Sequence, residues 1–112
     1  MSARRDREPG DDVPGSGQLA ILVLARARPG CAEDAVAVIT RQLDGIRQSE
    51  PACVSIALHR DNGDPDLLML YELWADRQSF EAFLAGTDMT EYLERLDDLL
   101  ESREMSRWEV AG

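Results

Sequence analysis

Between Cys53 and Arg60 the side chains alternate, with Val54, Ile56 and Leu58 on one side and Ser55, Ala57 and His59 on the other. That period of two predicts a strand with one buried face. Asp61-Asn62-Gly63-Asp64-Pro65 then turns the chain, since Asn and Gly tolerate positive φ and Asp bonds nearby amides, and Leu67 to Trp74 returns as the second arm of a hairpin. Upstream, from Gln18, the run LAILVL predicts a strand that ends at Arg26-Ala27-Arg28-Pro29-Gly30. From Ala32 to about Gln48, Val36, Ile39, Leu43 and Ile46 form the stripe of an amphipathic helix, weakened in its last turn by Gly45. Asp76 predicts the cap of a short helix carrying Phe80, Phe83 and Leu84, with Gly86 as a left-handed stop. Asp88-Met89-Thr90-Glu91 resembles a capping box for a third helix with Met89, Tyr92, Leu93, Leu96, Leu99 and Leu100 on its buried face. A last strand runs from about Met105 to Val110. The order β-α-β-β-α-α-β predicts a ferredoxin-like α+β fold, a four-stranded antiparallel sheet with its helices on one face.

Two strands are apolar on both sides. On the third, Leu68, Leu70, Glu72 and Trp74 oppose Leu67, Met69, Tyr71 and Leu73; on the first, Ala20, Leu22 and Leu24 oppose Leu19, Ile21 and Val23. Helices cover only one sheet face, so a contiguous apolar surface is left over, and a second copy of the chain is the economical cover. A homodimer is predicted.

Composition narrows the partners. A chain of 112 residues is one small domain with one modest core. Residues 1–17 mix charges of both signs with Pro and Gly and lack apolar anchors, which predicts a disordered N-terminal tail ahead of a domain at 18–112. A net charge of −10 argues against nucleic acid, whose binding depends on Lys and Arg releasing counterions. All twelve basic residues are Arg, which reads as a coding bias and not a phosphate-binding device. Cys31 and Cys53 are too few and too far apart for a disulfide framework or a metal motif, and they suit a reduced, cytoplasmic setting. No run approaches the ~20 apolar residues of a membrane span. His59, the sole histidine, has no second ligand, and the chain carries no Gly-rich phosphate loop, so no metal and no cofactor is expected.

The segments Glu50-Pro51-Ala52-Cys53, Leu58-His59-Arg60-Asp61 and Tyr71-Glu72-Leu73-Trp74, followed by a short Asp-started helix, resemble the antibiotic biosynthesis monooxygenase family. The resemblance runs from about Leu19 to Val110. It implies sheet-to-sheet homodimers with a ligand cavity between sheet and helices in each subunit, and in some members oxidation of aromatic polyketides without metal or flavin. The chain also departs from the family pattern. Where members carry His nine residues after the tryptophan, Asn four before it or Tyr six after it, this chain has Phe83, Leu70 and Phe80.

Set on that arrangement, strand parity lines the cavity with Leu22, Ile56, Leu68, Leu70, Glu72 and Trp74, joined by Phe80, Phe83 and Tyr92 from the helices. Such a pocket, apolar and aromatic with one carboxylate, suits a flat aromatic ligand. Glu72, desolvated, is the candidate base for a phenol or enol, with Trp74 as the orienting wall. The competing reading pairs Glu72 with Arg60 or Arg107 as a structural ion pair. The leading activity is cofactor-independent monooxygenation of an aromatic polyketide or quinol-type molecule. An isomerase or cyclase using the same deprotonation, and a non-catalytic binding dimer, are the alternatives.

Overall fold

The hydrophobic periods resolve into β1 (Leu19–Ala27), α1 (Ala32–Ser49), β2 (Cys53–Arg60), β3 (Leu67–Trp74), α2 (Arg77–Gly86), α3 (Thr90–Leu99) and β4 (Leu100–Glu109). The structure is a computed structural model and describes residues 17–112; apart from Gly17, the tail expected at 1–17 lies outside the described residues. The four strands form one sheet in the order β2-β3-β1-β4, and every neighbouring pair is antiparallel. This is the ferredoxin-like α+β arrangement that the element order predicts.

The helices pack on a single sheet face. Ile21, Ile56, Leu68 and Trp74 from the strands join Ile39, Leu43 and Ile46 of α1, Phe80 and Phe83 of α2 and Leu96 of α3 in one core. In α1 the buried positions Ala35, Ile39, Leu43 and Ile46 keep to one stripe, and Glu33 and Asp34 at its start with Arg47 at its end complement the helix dipole. Gly30, with φ of 81°, makes the left-handed turn that lets the chain leave β1 and enter α1. At α2 the expected cap is present: Asp76 Oδ1 accepts from the Ser79 amide at 2.7 Å. Losing such a cap costs about 1 kcal/mol.

Several local expectations change. In β1, pairing sets Ile21 opposite Glu72, Val23 opposite Leu70 and Leu22 opposite Tyr71. Opposed residues share a face, so Leu22 stands on the sheet face away from the helices, not in the helix-facing set. LAILVL is apolar on both sides, so its period alone carries no parity; the register with β3 decides it. In β2 the register shifts between Cys53, opposite Trp74, and Ser55, opposite Leu73. This bulge turns Val54 out to 54% exposure and leaves Cys53, not Val54, packed against the core with Ile56 and Leu58.

The last strand begins five residues earlier than the sequence pattern suggests. Leu100 pairs with Ala27 across an irregularity at Arg26/Ala27, and the Arg28 amide donates to the Leu99 carbonyl at 2.9 Å, so the chain passes from α3 into β4 without a loop. Gly86 ends α2 without a positive φ, and the helix stops at an extended Thr87. Ahead of α3, Asp88 Oδ1 accepts from the Thr90 amide at 3.0 Å, a turn two residues long in place of the reciprocal capping box.

The other sheet face carries Leu22, Met69, Tyr71 and Leu73, half-buried, with Leu24 and Trp108 at 42% and 58% exposure. His59 lies opposite Met69 on this face, its Nδ1 3.4 Å from the Met69 carbonyl oxygen. Among the described residues no helix is long and apolar enough to cross a membrane.

Candidate functional site

A cavity of about 250 Å³ lies between the sheet and the helices. Its floor is built by alternate residues of the two central strands, Ile21 and Val23 of β1 and Leu70 and Glu72 of β3, with Ile56 of β2 beside them. Ile39, Leu43 and Ile46 of α1, Phe80 and Phe83 of α2 and Tyr92, Leu93 and Leu96 of α3 form the walls. Arg103, Glu104 and Met105 of β4 line the remaining side, and all three are exposed, so the cavity opens there.

Glu72 is the buried charged residue of the described chain, at 7% exposure. Two residues on, on the same face, Trp74 donates its indole Nε1–H to Glu72 Oε1 at 2.7 Å. Trp74 is fully enclosed, with the Phe80 ring edge-on at 5.4 Å between centroids and the Phe83 ring tilted at 5.2 Å. Arg107 in turn sets its guanidinium over Phe80, 5.2 Å from the ring centroid. The aromatic cluster therefore holds the indole, and the indole holds the carboxyl. Glu72 Oε2 has no protein partner among the described residues.

Burial in this apolar setting raises the Glu72 pKa above its ordinary value of 4.5, and the Trp74 hydrogen bond offsets only part of that rise. The Tyr92 phenol is pushed up to about 12, first by burial and then by the negative charge of Glu72, with Arg103 pulling the other way. The Cys53 thiol is raised to about 11 by burial and by Glu72, which leaves it protonated and unreactive at neutral pH. After burial, the charge of Glu72 is thus the next influence on both the Tyr92 phenol and the Cys53 thiol. The two arginines considered as its ion-pair partners are engaged elsewhere, Arg60 with Glu33 at 3.1 Å and Arg107 with Glu81 at 3.5 Å.

Of the residues that the sequence assigns to the cavity, Ile56, Leu70, Glu72, Phe80, Phe83 and Tyr92 line it. Three do not. Leu22 is on the opposite sheet face, as its register with Tyr71 requires. Leu68, at 1% exposure, faces the helices but borders a separate void of about 30 Å³. Trp74 sits behind Glu72 as a support and is not a wall that a ligand touches. The sequence reading also missed lining residues. Gln42 falls on the Ile39–Leu43–Ile46 stripe, one turn after Ile39, and donates its amide to Met89 Sδ at 3.6 Å. Arg103 was hidden because β4 was expected to start only at Met105; it holds Asp97 by two hydrogen bonds of 2.7 and 3.3 Å at the cavity mouth. Among the described residues no cluster of three or more His, Cys, Asp or Glu is arranged to hold a metal ion.

The family model for antibiotic biosynthesis monooxygenases matches residues 19–95. Among solved structures, SnoaB from Streptomyces nogalater, described as a cofactor-independent oxygenase, superposes with a TM-score of 0.75 at 16% identity, covering 86% of this chain and 95% of that one. PA3566 from Pseudomonas aeruginosa gives a TM-score of 0.72 at 24% identity, over 88% and 98% of the two chains. SO0527 from Shewanella oneidensis gives 0.75 at 18%, over 82% and 89%. At these identities the likeness is one of fold. No curated protein sequence matches the chain.

Proposed function

The chain belongs to the antibiotic biosynthesis monooxygenase family, and on that footing we propose that it is a cofactor-independent monooxygenase for an aromatic polyketide or quinol-type small molecule, acting as a homodimer. The observation that carries this reading is Glu72, a single carboxyl in an apolar cavity, held at one oxygen by Trp74 and, among the described residues, without a partner at the other. A desolvated carboxylate with a raised pKa is a stronger base than one in water, and it can take a proton from a bound phenol or enol.

The substrate supplies the electrons. Glu72 removes the hydroxyl or enol proton, and the resulting anion passes one electron to O₂, giving a substrate radical and superoxide. These combine at carbon to form a peroxide, and its O–O bond breaks with loss of water as a new carbonyl forms. For a phenolic ring oxidised at the carbon para to its hydroxyl the balance is HO–Ar–H + O₂ giving the quinone O=Ar=O + H₂O. The cavity's part is to hold the anion dry and in one orientation against the aromatic end formed by Phe80 and Phe83.

A second reading, a dimer that binds such molecules without turning them over, is favoured by the apolar wall of Leu70, Phe80 and Phe83. Oxygen uptake on a panel of hydroxylated arenes, run with chelator and without added flavin, separates the two. Turnover that falls roughly 10²-fold or more in Glu72→Gln supports the base. Full activity in that variant removes the assignment, and binding without oxygen uptake across the panel selects the second reading.

A further inference from the structure

The cavity volume sets a limit on the ligand. Since an apolar protein cavity of about 150 Å³ accommodates benzene, one of about 250 Å³ holds roughly ten non-hydrogen atoms, the skeleton of naphthalene. We infer that the site takes a hydroxylated ligand of one or two fused aromatic rings and excludes the three- and four-ring systems. This rests on the reading of the cavity as the substrate site and goes beyond it by naming the size class.

Three features stop the cavity from growing to fit. Its inner end is closed by Phe80 and Phe83, themselves packed on the fully enclosed Trp74, so moving either ring disturbs a buried cluster. The adjoining void behind Leu70 measures only about 30 Å³, about the share of one water molecule in the liquid. Toward the mouth, a third ring would leave the buried walls and meet Arg103 and the exposed Met105, where it gains little burial and lies beside a charged group. A hydroxyl on the first ring meets the free oxygen of Glu72, and that contact fixes which ring goes deepest.

Calorimetric titration of the full chain without oxygen, using phenol, 2-naphthol, anthrone and a tetracenic phenol, reads the limit directly. 2-Naphthol should bind at least ~10-fold tighter than phenol, and anthrone at least ~10-fold weaker than 2-naphthol. Leu70→Ala, which enlarges the floor at a half-buried position, should recover anthrone binding several-fold; Val23→Ala serves if that variant does not fold. Anthrone or the tetracenic phenol binding the natural sequence as tightly as 2-naphthol overturns the inference, and so does failure of every member to bind. Parallel oxygen uptake keeps the two ideas apart. A size limit in binding without uptake defeats the monooxygenase reading alone, whereas uptake confined to the larger ligands defeats the size limit alone.

Discussion

Leu22 stands directly opposite Tyr71 across the β1–β3 pair, on the sheet face that no helix covers. Around them Met69 and Leu73 are half-buried and Leu24 and Trp108 are exposed, which makes this face a continuous apolar surface and not a scatter of single leucines.

A second copy of the chain covering that surface should bury at least ~1,600 Å², the size of a stable interface. Light scattering at micromolar concentration should then give twice the chain mass. Met69→Asp, which places a charge in the middle of the face without entering the helix-side core, should give monomer or aggregate. A monomer of the natural sequence would end the dimer assignment.

Glu72 also governs stability. Its pKa is higher in the folded chain than in water, mainly through burial, so the folded state binds its proton more tightly than the unfolded state does. The penalty for burying the charge is therefore absent below its ordinary pKa of 4.5, and stability falls as the pH rises through the folded-state value. Glu72→Gln removes this dependence. Compared with the natural sequence, the variant should melt higher at pH 8 than at pH 4; an identical difference in melting temperature at both would show that Glu72 titrates as it does in water.

The sequence carries the fold because each element has one dominant signal. The α1 stripe at Ile39, Leu43 and Ile46, the Asp76 cap and the turn at Asp61-Asn62-Gly63 are all local, and all three stand where they were expected. Parity was legible in β3 because Glu72 marks one face, but not in β1, where Leu22 and Ile21 are equally apolar and only pairing separates them. Val54 was misplaced by a bulge, which the composition of β2 does not announce. The site followed the same rule. Glu72 was visible as a lone carboxylate in an apolar run, whereas Arg103 depended on where β4 begins, and the role of Trp74 depended on a side-chain hydrogen bond that spacing cannot reveal.

That bond gives the last prediction, since Trp74 does two separable things. Its rings fill the core beside Phe80 and Phe83, and its N–H stabilises the charged form of Glu72. Trp74→Ala loses both and should cost about 3–5 kcal/mol of stability, enough to threaten folding of a small domain. Trp74→Phe keeps most of the apolar contact and removes only the donor, leaving a buried carboxylate without its partner; the lost bond to a charged acceptor is worth about 1.5–3 kcal/mol. The Glu72 pKa should then rise further, because the one contact that lowers it is gone. If Glu72 is the base, the acidic limb of the kcat/KM profile for any oxidised substrate moves to higher pH in Trp74→Phe, and activity recovers toward that of the natural sequence as the pH is raised. A merely structural tryptophan would instead lower the whole profile without displacing it, and that outcome would separate Trp74 from the chemistry of Glu72.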